Sequence, residues 1–156
     1  MKLIYLFTCS LGILFLLCSC GGCGKEKICT YTIRNESSVS IKLNMYEKGD
    51  SIPKSITYIN HNEEIIEEKE SFPPIFSDYD FARLLGGEGQ GSDKDSLLII
   101  YANTKIEFFL CEPPFIDSIS NDRNPLNISV YSGCEQTFIF TEEDYENATP
   151  CEGDCE

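Results

Sequence analysis

Apolar and polar positions alternate with a period of two along much of the chain. Cys29, Tyr31 and Ile33 alternate with Thr30, Thr32 and Arg34, which predicts a half-buried strand. Val39, Ile41, Leu43 and Met45 alternate with Ser40, Lys42 and Asn44, which predicts a second. Asn35-Glu36-Ser37-Ser38 between them reads as a turn, so the pair is expected to form a hairpin. Lys48-Gly49-Asp50 is the next turn, Ile56 and Tyr58 mark a third strand, and Asn60-His61-Asn62 turns the chain again. Glu63 to Glu70 reads as a fourth strand at a sheet edge, where its charges discourage pairing with another chain. A helix over the same residues is the alternative.

The alternation stops between Ser71 and Asp95. Stretches of this length without a strand are often functional or disordered. Ser77 can cap a short helix with Asp78 and Asp80 in its first turn, Gly86 stops it, and Phe81, Leu84 and Leu85 share one face. That helix either plugs one end of a core or acts as a partner-binding lid, with Phe72, Phe76 and Tyr79 as contact anchors. Gly86 to Gly91 follows a helix and lacks the Lys-Ser/Thr ending of a phosphate loop, so it reads as a plain loop.

Ser96 to Ala102 is apolar on both faces and reads as a central strand. Lys105 to Cys111 follows, with Ile106, Phe108 and Leu110 on one face. Glu112 to Pro125 is a proline-bounded loop. Leu126 to Tyr131 and Thr137 to Phe140 suggest a hairpin around Ser132-Gly133, and Thr141-Glu142-Glu143-Asp144 starts a capped helix. Together these segments predict a mainly β fold: an antiparallel, immunoglobulin-like β-sandwich of about 7–8 strands with one or two short helices.

The first 23 residues follow another pattern. Lys2 precedes an uncharged, apolar run from Leu3 to Leu17, and Leu17-Cys18-Ser19-Cys20 leads into Gly21-Gly22. Such an order is that of a secretory signal ending in small residues. The run is shorter than the roughly 20 residues a membrane-spanning helix needs. Leu17 at −3, Ser19 at −1 and Cys20 at +1 resemble the bacterial lipobox. The resemblance implies cleavage before Cys20, acylation of its thiol and of the new amino terminus, and an anchored protein. Gly21, where an Asp would retain such a lipoprotein at the inner membrane, implies the outer one. The expected organisation is therefore a signal peptide over 1–19, a lipidated tether over 20–27 and one domain over 28–156, enough chain to bury a core.

Charge narrows the partners. The chain carries −14, and removing the signal takes away Lys2 and no acid. Nucleic acid needs a basic face, which this composition does not supply. Of the nine cysteines, Cys9 and Cys18 leave with the signal and Cys20 is acylated. The others, Cys23, Cys29, Cys111, Cys134, Cys151 and Cys155, are an even set in an oxidising compartment and so disulfide candidates. Cys111 and Cys134, at strand ends, form the expected pair. Zinc is disfavoured: the only Cys-x-x-Cys outside the signal begins with the acylated thiol, and the single histidine, His61, is far from any cysteine.

Further residues carry a family likeness. The lipobox cysteine, Tyr31 to Asn35 running into a serine turn, Asp95 to Ile100, and the closing Phe140-Thr141-Glu142-Glu143-Asp144-Tyr145 resemble small cell-envelope lipoproteins of Bacteroides-type bacteria. The resemblance implies a cell-envelope β-sandwich with a short C-terminal helix, and no activity or catalytic residues. Asp50-Ser51-Ile52, Asp95-Ser96-Leu97 and Asp117-Ser118-Ile119 resemble the O-glycosylation signal of the same bacteria, which makes Ser51, Ser96 and Ser118 candidate glycan sites.

No nucleophile, metal or phosphate motif stands out, and no cofactor is expected. His61 sits in a polar turn, the paired glutamates at 63–64, 67–68 and 142–143 look like solvated edges and caps, and the acids at 93–95 and 117–122 lack a calcium-loop spacing. The expected function is a non-enzymatic binding module of the outer membrane, held there by lipid and meeting an envelope protein or glycan. Alternatives are a fimbria-like structural subunit and a hydrolase using two carboxylates, whose separation in space decides the chemistry.

Overall fold

Alternation sorts the chain into two faces, and each strand buries one of them. The computed structural model describes residues 27–47, 49–71, 81–87, 95–110, 123–126 and 134–155. Within them run β1 (Lys27–Asn35), β2 (Ile41–Glu47), β3 (Ser55–Ile59), β4 (Glu64–Ser71), α1 (Phe81–Leu84), β5 (Asp95–Tyr101), β6 (Lys105–Leu110), β7 (Glu135–Phe140), α2 (Glu142–Asn147) and β8 (Thr149–Pro150). The strands form a three-stranded sheet in the order β4-β1-β7 and a five-stranded sheet in the order β3-β2-β5-β6-β8. The protein is thus a mainly β, two-sheet sandwich, and the segment expected over Glu63 to Glu70 is a strand at a sheet edge, running Glu64–Ser71, not a helix.

Two expectations are corrected. β1 and β2 do not pair as a hairpin: β1 lies between β4 and β7, and β2 between β3 and β5. Asn35 is the reason. Its buried Nδ2 donates to the carbonyls of Val39 at 2.8 Å and Ile59 at 3.1 Å, and its Oδ1 accepts from Ser37 N at 3.0 Å and Ser37 Oγ at 2.7 Å. These bonds turn the chain from one sheet into the other. The sandwich is also not antiparallel throughout. β7 runs parallel to β1, with Thr30 opposite Glu135 and Ile33 opposite Phe138.

The core is one cluster drawn from both sheets: Ile33 of β1, Leu43 and Met45 of β2, Ile59 of β3, Leu97, Ile99 and Tyr101 of β5, Phe109 of β6, and Phe138 and Phe140 of β7. β5 is buried along nearly all its length, as a central strand should be. Ile106, Phe108 and Leu110 share a face, and it is the outward one; Phe109 points to the core. The described part of the helix after residue 80 behaves as a plug. Phe81, Ala82 and Leu85 are buried, and Phe81 meets Tyr31 and Phe138 edge-on at 6.5 and 6.3 Å between ring centroids. Gly86 ends the helix at φ +89°, where a Cβ would stand 2.8 Å from Ser55 Oγ, so this turn needs glycine.

α2 is docked by its own carbonyls. Thr141 and Asp144 form the expected capping box. Lys105 Nζ donates to the carbonyls of Tyr145 at 3.0 Å and Glu146 at 2.9 Å, and lies 4.7 Å from the Tyr145 ring centroid. Two of the outer strands among the described residues differ in charge. β4 carries Glu64, Glu67, Glu68, Lys69 and Glu70, whereas β3 has no charged residue.

Candidate functional site

The outer face of the five-stranded sheet is built in rows by the strand register. Tyr58 of β3 stands opposite Lys42 of β2, Lys42 opposite Ile100 of β5, and Ile100 opposite Ile106 of β6. One row further along, Ile56, Asn44, Leu98 and Phe108 are aligned in the same way. Ile56, Tyr58, Phe108 and Leu110 are exposed on this face, while Ile100 is buried.

The C-terminal tail crosses the end of these rows. β8 pairs with β6 through Thr149 opposite Ile106. The chain then passes over the β5–β6 turn, where Cys151 N donates to Thr104 O at 2.9 Å and Cys155 N to Asn103 O at 3.4 Å. That turn is tight: Thr104 N donates to Tyr101 O at 2.9 Å, and Ala102 and Asn103 both have positive φ, 47° and 56°. Asparagine tolerates this conformation; alanine pays about 1 kcal/mol for it. The backbone of Ala102 is fixed by a bond from its N–H to Ser40 O at 3.0 Å. A disulfide between Cys151 and Cys155 closes the tail into a loop that contains Asp154.

A hollow of about 260 Å³ results, lined by Lys42, Tyr58, Asn103, Asp154 and Cys155. It brings together a cation, an anion, an amide and an aromatic ring from three distant parts of the chain. Sequence reasoning missed it. Its one sequence signal is the pair of tail cysteines flanking an acid.

A second cluster lies between β5, β6 and α2. Arg123 donates to both carboxylate oxygens of Asp144, at 2.8 Å from Nε to Oδ1, and to Ile139 O at 2.8 Å, with its guanidinium 5.0 Å from the Phe138 ring centroid. Burial opposes the Arg123 charge, but Asp144 outweighs it and raises the guanidinium pKa above its ordinary value. Tyr101 OH donates to Glu107 at 3.3 Å. Burial first, then Glu107 and Asp144, pushes the Tyr101 phenol far above its ordinary range. Asp144 is occupied as a helix cap by Thr141 N at 2.6 Å and Thr141 Oγ1 at 2.8 Å. The two carboxylates therefore serve packing and capping.

The residues singled out in the sequence fall into three groups. Four of the candidate cysteines are joined, as Cys29–Cys134 and Cys151–Cys155. The expected Cys111–Cys134 pair is corrected: the parallel β1–β7 register sets Thr30 opposite Glu135, and so brings Cys29 beside Cys134. Ser51 is exposed beside exposed Asp50 and Ile52, as a glycan acceptor must be, whereas Ser96 is 9% exposed in β5 and is withdrawn as a candidate. Cys20, Cys23, Cys111, Ser118, Phe72, Phe76 and Tyr79 lie outside the described residues. His61 donates from Nδ1 to Ser37 O, and its Nε2 accepts from Asn62 Nδ2 at 2.6 Å, so both ring nitrogens are engaged in a turn. Among the described residues, no three His, Cys, Asp or Glu side chains are grouped to hold a metal ion. No family model, curated protein or solved structure matches the chain.

Proposed function

We propose that the protein is a lipid-anchored module of the bacterial outer membrane that binds an envelope protein or glycan and does no chemistry of its own. The observation that carries this reading is the pairing of a lipobox-like Leu17-Cys18-Ser19-Cys20 with two disulfides in the domain that follows. Disulfides persist in the oxidising compartments to which such a signal leads. A rigid sandwich bearing a hollow on one face suits binding, because fixed elements lose little freedom on contact. The residues over 71–95, with Phe72, Phe76 and Tyr79, are proposed as a second part of the contact surface. Ser51 is proposed as a glycan acceptor.

A structural-subunit role draws on one feature, the uncharged β3 edge, which could accept a strand from another chain.

Two measurements test the main reading. Cys20→Ala should abolish fatty-acid labelling and leave the precursor uncut; labelling that persists refutes the anchor. The chain should also recover a partner from outer-membrane extract, and a Phe72→Ser, Phe76→Ser, Tyr79→Ser variant should recover less. Equal recovery refutes the role of residues 71–95, and no recovery favours the structural role.

A further inference from the structure

The hollow beside Tyr58 holds a set of groups suited to one kind of ligand. Tyr58 lines the hollow and is 64% exposed. The face of a tyrosine ring is apolar in area and electron-rich in character, which suits the weakly positive C–H face of a sugar ring. Around it stand Lys42, Asn103 and Asp154. Lysine only donates hydrogen bonds, an ionised aspartate only accepts them, and an asparagine amide does both. A sugar hydroxyl also donates and accepts, so each of these side chains finds a match in it.

Charge points the same way. Lys42 and Asp154 cancel within the hollow, while the whole chain carries −14. An anionic ligand would approach against that field, and a cationic one would meet Lys42. Size sets the number of rings. At about 260 Å³ the hollow falls below the roughly 300–1,000 Å³ of clefts that enclose drug-sized ligands, so it fits one ring and leaves the rest of a chain outside.

Its walls are also fixed in advance. The Asn103 backbone is held in the left-handed region by the turn and the tail, and Asp154 sits inside the Cys151–Cys155 loop. We propose that this hollow binds one ring of a neutral saccharide, with Tyr58 as stacking platform and Lys42, Asn103 and Asp154 holding its hydroxyls. The proposal rests on the binding-module reading and names its ligand class.

Saturation-transfer NMR tests it on the full chain in a sugar-free detergent. The probes are the methyl glycosides of glucose, galactose, mannose and N-acetylglucosamine, with glucuronate and glucosamine as charged controls. At least one neutral glycoside should show transfer concentrated on the C–H protons of one ring face. Tyr58→Ala should weaken binding at least about tenfold, and Tyr58→Phe should keep it. Asp154→Asn and the Cys151→Ser, Cys155→Ser pair should each weaken it while the thermal transition of the sandwich stays cooperative. The proposal is overturned by absence of transfer from every neutral glycoside, by equal transfer in Tyr58→Ala, or by preference for a charged control. A protein partner still recovered from extract in those cases would leave the binding-module reading standing.

Discussion

Glu107 lies half-buried beside Tyr101, on the side of β6 that faces the core. Burial pushes its carboxyl above the ordinary value of 4.5, Asp144 adds to the rise, and Tyr101 OH and Arg123 oppose it. The folded protein therefore binds this proton more tightly than the unfolded chain does. That contribution to stability is complete below about 4.5 and is lost as pH rises through the folded value. Glu107→Gln keeps an acceptor for Tyr101 and removes the loss. Urea midpoints should rise at neutral pH and change little in acid; a variant less stable than the parent at neutral pH would refute the assignment. Asp144 is the other residue with a large expected effect. Thr141→Ala removes two bonds, the one Oγ1 accepts from Asp144 N and the one it donates to the Asp144 carboxylate, and should cost about 1 kcal/mol. Asp144→Ala removes the bonds from Thr141 N and Oγ1 and the ion pair with Arg123, which keeps its bond to Ile139 O, and should cost about 2 kcal/mol, discounted because Arg123 is partly exposed. Equal losses in the two variants would show that Arg123 adds nothing. The Thr141–Asp144 spacing was readable in the chain; Arg123, eighteen residues before the cap, was not.

Strands were legible because their signal is local. A period of two over residues 29–45 needs no partner to be seen, and the helix stop at Gly86 is a property of that residue. Pairing was not legible, because it depends on residues far along the chain. Asn35 sends β1 and β2 into different sheets by bonding to Ile59, 24 residues later. Asn35→Ala leaves the Val39 and Ile59 carbonyls and the Ser37 amide short of partners, and should cost about 3 kcal/mol in chemical denaturation. A loss under about 1 kcal/mol would show that the corner holds without it. The two disulfides should differ in the same assay. Cys29–Cys134 joins residues 105 apart, and in the loop-entropy view is worth about 4–5 kcal/mol; Cys151–Cys155 joins residues 4 apart and is worth about 2. Replacing each pair by serines should reproduce that order. The reverse order would mean that the tail, rather than β1 and β7, holds the sandwich together.

For the molecule as a whole, length and alternation were enough to expect one sandwich, and the charge of −14 enough to disfavour nucleic acid. The hollow was out of reach of such reading, since Lys42 and Asp154 are more than a hundred positions apart and meet only when the tail folds back. The direction of β1 then fixes which pole of the molecule does the meeting. Under the proposed acylation of Cys20, residues 20–26 form a leash no longer than about 25 Å, which ends where β1 begins. β1 runs for 9 residues, about 30 Å, away from that point to Asn35. Ile59, the start of β2 and the turn at Ala102 are all bonded or paired at Asn35's end. Lys42, Tyr58 and Asn103 therefore crown the pole opposite the leash. If Cys20 is acylated as proposed, so short a leash would favour holding the other pole away from the bilayer, and the hollow would then face the space beyond the lipid headgroups.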